Sequence, residues 1–154
     1  MGLELLVRFC TCLRVKGSDV EQSRTAESVA RTFLNLFQKG EIGDMMSMLS
    51  DDAVMTDAGR GVKVGSDAIK TALDEFASYV PVFQTKILTL LTDGKTVMIE
   101  RADRYEMGGH SFGYQMATAF SINAAGKITR WHEYYDVKEI EAQVLAAGIS
   151  IPDE

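Results

Sequence analysis

The period of the hydrophobic pattern changes once along this chain, at Pro81, and that change sets the fold class. Before it, apolar residues recur at helical spacing. Val29, Phe33, Leu34 and Phe37 mark a helix that begins near Ser23 and ends at Lys39–Gly40, with glycine at the C-cap position. A short second helix is predicted over residues 42–49, burying Met45, Met46, Met48 and Leu49. Residues 53–57 read as a short strand, followed by a Gly-rich loop through Gly59, Gly61 and Gly65. Ser66 then reads as the N-cap of a third helix, with Ile69, Leu73 and Phe76 as its apolar stripe. After Pro81 four extended segments follow, over 83–92, 96–107, 111–122 and 127–135. Asp93–Gly94, Gly108–Gly109 and the stretch from Asn123 to Gly126 supply their hairpin turns. A last helix is predicted over 137–147, with Ile140, Val144 and Leu145 on one side.

Helices first and an antiparallel meander afterwards define an α+β chain. The expected architecture is a single cone-like domain: a strongly curved, mostly antiparallel sheet, with the N-terminal helices covering one face and enclosing an apolar pocket. With 154 residues, one domain is expected. Residues 21–154 are assigned to it and residues 1–20 to an N-terminal arm or mobile extension. The apolar run in that arm is interrupted by Arg8, carries Glu4, and is too short for a membrane span or a leader.

Composition removes several functions. Sixteen basic against 22 acidic residues give a net charge of −6, the wrong sign for a nucleic-acid binder or an anionic membrane surface. With 2 His, a three-His zinc site is impossible. The 2 cysteines, Cys10 and Cys12, are too close to bridge without strain and read as free thiols of a reducing, cytoplasmic compartment. No metal and no cofactor is expected. The segment Gly59-Arg-Gly-Val-Lys-Val-Gly65 lacks the strand–loop–helix setting of a phosphate cradle and reads instead as the edge of a pocket mouth.

The informative segment is Thr96–Met107. Strand side chains alternate faces, so Val97, Ile99, Arg101, Asp103 and Tyr105 share one face, apolar except for Arg101 and Asp103. Those two charges point inward and must find each other and a third group, because an unpaired buried charge costs several kcal/mol. They fit equally a structural ion pair and a functional site. In Trp131-His-Glu-Tyr-Tyr-Asp136 the two faces are mixed and parity does not choose the inner one. Asp136 stands at a strand end before a helix, where it fits an N-cap as well as a site.

Together, Glu100-Arg-Ala-Asp103 and Gly126-Lys-Ile-Thr-Arg-Trp-His-Glu-Tyr-Tyr-Asp136 resemble the limonene-1,2-epoxide hydrolase family. That family shares its cone fold with ketosteroid isomerases, polyketide cyclases and nuclear transport factor. The resemblance runs over roughly residues 25–147 and implies an Asp–Arg–Asp site, with Asp136 as base, Arg101 as bridge and Asp103 as acid. It implies hydrolysis of a lipophilic epoxide to a diol in one acid–base step, and a homodimer that takes a small lipophilic ligand. In the short strand the family carries Tyr and Asn to hold water. Here Met55 and Asp57 stand in their place, making Asp57 a variant water-positioning residue or a third carboxylate. Met55, Tyr105 and Ile99 are assigned to the pocket lining. An isomerase or cyclase acting on a steroid- or polyketide-like ligand, and a non-catalytic ligand-binding or dimerisation module, are the alternative functions.

Overall fold

A computed structural model of the protein describes residues 25–150; the N-terminal arm of residues 1–20 lies outside them. The chain orders its elements as α1 (Ala26–Lys39), α2 (Ile42–Met48), β1 (Leu49–Asp57), β2 (Gly61–Val64), α3 (Ser66–Tyr79), β3 (Val82–Thr92), β4 (Thr96–Met107), β5 (His110–Ile122), β6 (Ile128–Tyr134) and α4 (Val137–Ala146). The Thr25 side chain caps α1 by accepting from the Ser28 N–H, and Gly40 closes it in the left-handed region. The helix presents Val29, Phe33 and Leu34 inward, and the Phe33 ring meets Phe120 and Trp131 edge-on at 5.5 and 5.0 Å.

The six strands form one curved sheet in the order β2-β1-β6-β5-β4-β3. Every pair is antiparallel except β1 with β6, so the fold is the mostly antiparallel α+β arrangement expected. Two details differ from expectation. The glycine loop after β1 holds a real strand, because Gly61, at a φ of 74°, turns the chain so that residues 61–64 pair back onto β1. Ser66 is the first helical residue of α3; its N-cap is Gly65, which offers no side-chain acceptor.

Irregular pairing decides which side chains face the core. Between β5 and β6 the register shifts, Ser121 opposing Arg130 while Ile122 opposes Ile128. The extra residue, Thr129, lets both Ile128 and Trp131 point inward although their numbers differ in parity. Beyond it the inner face continues with Glu133. A similar shift at Leu88 in β3 leaves Leu88 exposed on the edge strand.

The inner face holds two apolar clusters separated by charge. One lies beneath α1, α2 and α3 and includes Phe33, Met45, Ile69, Val97, Ile99, Phe120 and Trp131. The other gathers Val80, Phe83, Tyr105, Phe112 and Val144, with Ile140 packed against it beneath α4. Leu145, grouped by the helical pattern with Val144, instead points to solvent. Along β4 the order is Val97, Ile99, then Arg101 and Asp103, then Tyr105, so the charges form a band between the clusters. No described helix is long and apolar enough to cross a membrane.

The packing of α1 on the sheet gives a stability prediction. Truncating the fully buried ring in Phe33→Ala should cost about 3–5 kcal/mol in chemical denaturation. The exposed Leu145→Ala should stay within about 0.5 kcal/mol. Comparable losses for the two would contradict the assignment of core and surface.

Candidate active site

Three strands build the charged band. β4 supplies Arg101 and Asp103, β5 supplies Met116 and Thr118, and β6 supplies Trp131 and Glu133. Arg101, Asp103 and Glu133 are 2%, 3% and 4% exposed, so none is screened by water. Arg101 Nη2 lies 2.6 Å from Glu133 Oε2 and 3.2 Å from Asp103 Oδ2, bridging the two carboxylates from one nitrogen. It also approaches Met116 Sδ at 3.1 Å.

The two carboxylates are held differently. Glu133 Oε1 accepts from the Thr118 hydroxyl at 3.2 Å and from the Trp131 indole N–H, while its Oε2 takes the Arg101 donor. Asp103 has its ion pair with Arg101, yet neither of its oxygens accepts a hydrogen bond from the described residues. Arg101 Nε and Nη1 are likewise buried without an acceptor there. The cluster thus holds unspent donors on its cation and unspent acceptors on one anion.

Burial raises both carboxyl groups, against the pull of Arg101. Glu133 is pushed up to about 7, and Asp103 is raised as well. Two carboxylates on one guanidinium titrate as a pair, and a neutral cluster needs one shared proton. Three donors meet Glu133, whereas ionised Asp103 is favoured by Arg101 and by the Thr85 hydroxyl opposite it on β3, which stands beyond strict hydrogen-bond geometry. The pair therefore holds one proton between its two carboxyls near neutrality.

The remaining expected site residues fall elsewhere. Asp136 is exposed and occupies the N-cap of α4, its Oδ1 accepting from Lys138 N at 3.0 Å and Glu139 N at 3.4 Å. It is not at Arg101; the acidic partner that β6 offers there is Glu133, three residues earlier. Asp57 is half-buried and joins neither ion pair of Arg101. Its Oδ1 accepts from the Tyr135 hydroxyl and from Gly59 N at 2.9 Å, and Gly59 N also reaches the Tyr135 oxygen at 3.1 Å. A Cβ at residue 59 would lie 2.8 Å from that oxygen, so the contact requires glycine. Met55 is buried beside Trp131 in the paired strand, and Ile99 lies deep in the larger cluster. Tyr105 stacks on Phe112 at 5.2 Å, with Tyr114 edge-on to it at 6.0 Å. Tyr114 stands directly opposite Asp103 in the β4–β5 pair, and its ring is 5.7 Å from that of Tyr135. Burial and the nearby Asp103 hold the Tyr114 hydroxyl firmly protonated.

Tyr114 thus stands beside the carboxylates, with Tyr105 and Tyr135 around it. An open depression of about 330 Å³ is lined by Gln38, Gln84, Thr85, Lys86, Ala102 and Arg104, and a smaller one of about 90 Å³ lies between α1 and α3; neither is lined by Arg101, Asp103 or Glu133.

Glu133, Thr118 and Tyr135 are the parts of this arrangement that residue patterns alone missed. A usable signal existed in Trp131: the chain's single tryptophan marks the inner face, and Glu133 and Tyr135 follow it at i+2 and i+4.

Comparison with known proteins agrees with the fold. A family described as "Limonene-1,2-epoxide hydrolase catalytic domain" matches residues 24–146. Among solved structures, an LEH-like epoxide hydrolase of M. tuberculosis is 27% identical, with a TM-score of 0.69 over 79% of this chain and 90% of that one. A putative polyketide cyclase from Xanthomonas campestris pv. campestris is 19% identical, with a TM-score of 0.67 over 77% and 96%. A protein of ketosteroid isomerase-like fold from Catenulispora acidiphila, in complex with trimethylamine, is 18% identical, with a TM-score of 0.70 over 79% and 93%. The last two share the fold. No curated protein matches the chain.

The raised Glu133 carboxyl has a consequence for stability. Its folded value of about 7 exceeds its ordinary 4.5, so the folded state holds more protons between those values. Stability from this group is present below the lower value and is lost as pH rises through the upper one. Denaturant midpoints of the wild type should fall across this window. Asp103 contributes in the same direction in any variant that keeps it. Glu133→Gln, which does not titrate, should show a shallower fall, and parallel profiles for the two proteins would contradict the buried-pair account.

Proposed function

The chain belongs to the limonene-1,2-epoxide hydrolase family, and from that premise we propose that it hydrolyses a lipophilic epoxide to a diol at Arg101, Asp103 and Glu133. The observation that carries this reading is the single guanidinium nitrogen shared by two buried carboxylates with unequal hydrogen bonding. Glu133 is the base. Its three donors hold it ionised and oriented, and a value of about 7 matches a proton acceptor working near neutrality. Asp103 is the acid and carries the shared proton in the reactive state; neither of its oxygens accepts a hydrogen bond from the described residues.

In the proposed step Glu133 takes a proton from water while the water oxygen bonds to one ring carbon. The carbon–oxygen bond of the epoxide breaks, and the departing oxygen takes the Asp103 proton. The product is the diol, with Glu133 protonated and Asp103 ionised. Moving one proton from Glu133 to Asp103 restores the starting state, and Arg101 contacts both carboxylates throughout. The desolvated setting favours this exchange, because a neutral carboxylic acid is the stable form of one partner at neutral pH. Neither Met55 nor Asp57 is needed as a proton donor. Asp57, bonded to Tyr135 and Gly59, shapes the outer wall.

Water and substrate reach the band past Tyr105, Tyr114 and Tyr135, so these rings must part when a ligand enters. The outer face of the sheet supports a homodimer in the same reading: Leu91 and Met98 are exposed and paired on β3 and β4, and Tyr134 is exposed on β6. Sedimentation equilibrium should give a dimer mass, and a monomer at all concentrations would contradict that pairing.

Hydrolysis is tested with a panel of terpene and aryl epoxides in labelled water. Asp103→Asn and Glu133→Gln should each lower kcat by about 10²–10⁴-fold, the usual contribution of a positioned acid or base. Asp136→Asn should leave turnover unchanged, since asparagine caps a helix as well as aspartate does. Full turnover in both buried variants, or loss in Asp136→Asn alone, would contradict the assignment.

A further inference from the structure

The aromatic mouth carries one cation that the hydrolytic scheme does not use. Arg60 follows Gly59 in the turn between β1 and β2 and is half-buried. Its guanidinium lies 5.2 Å from the ring centre of Phe76 and 5.3 Å from that of Tyr79, both on α3, and its Nη2 donates to the Tyr79 hydroxyl. No carboxylate among the described residues comes within ion-pair distance of it, although the chain has an excess of acidic side chains. Its hydrogen-bonding partner is a neutral phenol.

The position of Arg60 relative to the carboxylates follows from strand geometry. Side chains two residues apart on one face stand roughly 7 Å apart. Tyr105 is one such step beyond Asp103 on β4, and Tyr135 follows directly after the end of β6, two residues beyond Glu133. Burial raises both phenols, and the charge of Arg60 opposes that rise in each. Arg60 therefore overhangs the same end of the sheet as these two phenols, outside the carboxylate pair, with aromatic rings between.

A guanidinium beside aromatic rings with one nitrogen on a phenol can turn its N–H edge to bind a planar anion in two-point fashion. A carboxylate is also a stronger acceptor than the phenol now occupying that edge. From these observations we propose that Arg60 is the anion-recognition residue of the site, and that the ligand is a lipophilic carboxylic acid. Its carboxylate replaces the Tyr79 hydroxyl at Arg60 while its apolar body lies along Tyr105, Tyr114 and Tyr135. The inference rests on the hydrolytic reading for the reacting group only, which makes the substrate class an epoxide that bears a carboxylate. Arg60 is a specificity residue in this scheme: it touches the substrate away from the reacting carbon.

A matched pair of unreactive probes separates the anion site from the chemistry. Binding of 4-phenylbutanoate and 4-phenylbutanamide is measured by calorimetry at neutral pH on the full chain, with wild type, Arg60→Gln and Arg60→Lys. A charge-assisted hydrogen bond corresponds to a preference of about tenfold or more, so wild type should favour the acid over the amide by that factor. Arg60→Gln should abolish the preference and leave amide binding unchanged, and Arg60→Lys should retain part of it. Equal affinities in wild type, no binding of the acid, or equal loss of both probes in Arg60→Gln would overturn the proposal. In parallel, an aryl epoxide carrying a carboxylate is compared with its methyl ester. A preference for the acid probe in a protein that turns over neither epoxide supports the anion site and removes the hydrolytic reading alone.

Discussion

Placing one guanidinium inside an apolar sheet face is the constraint around which this molecule is organised. Arg101 is 2% exposed, and a lone buried charge of that kind would be strongly destabilising. The fold answers with two carboxylates from different strands, Asp103 two residues away and Glu133 across the sheet. Two anions exceed one cation, so the surplus is settled by a proton. The need for that proton links stability to chemistry: a buried carboxylic acid beside a buried carboxylate is an acid and a base in one site. Thr118 and Trp131 spend their donors on Glu133, while Thr85 stands opposite Asp103.

The surrounding architecture can be understood as support for that band. The larger apolar cluster beneath α1, α2 and α3 anchors one end of β4, and the aromatic cluster beneath α4 closes the other. Water is kept from both ends, which keeps the electrostatic interactions strong and the carboxyl values high. Asp136 serves the same end indirectly by capping α4, the helix that carries Val144 into the aromatic cluster. A loop glycine, Gly59, lets Tyr135 close on Asp57 at the rim.

Much of this was legible in the residues alone. The change of period at Pro81, the glycine turns and the helical stripes led to the element order and the α+β class. Strict alternation in β4 led to Arg101 and Asp103 as an inward pair, because that strand has no bulge between Val97 and Tyr105. The partner on β6 was harder to read. The extra residue at Thr129 makes Ile128 and Trp131 both inward, so simple alternation gave mixed faces and hid Glu133. Asp136, matched through the family resemblance, lies beyond the strand, where backbone geometry turns it to solvent and to the helix N-terminus. The strand within the glycine loop was missed because only Val62, Lys63 and Val64 stand between Gly61 and Gly65, too short a run to show a period; pairing to β1 defines it. The gathering of Tyr105, Tyr114 and Tyr135 beside the charges depends on side-chain packing among distant segments, which no local pattern encodes.

The central claim is that Asp103 and Glu133 share one proton around Arg101 near neutral pH. It is tested most directly by following the side-chain carboxyl carbons of isotope-labelled protein through a pH titration by NMR, with Asp103→Asn and Glu133→Gln to assign the two signals. The account predicts two coupled signals that move together, both raised above the ordinary carboxylate range and one with its step near pH 7. Two independent titrations complete in the ordinary carboxylate range, leaving both groups ionised at neutral pH, would contradict it.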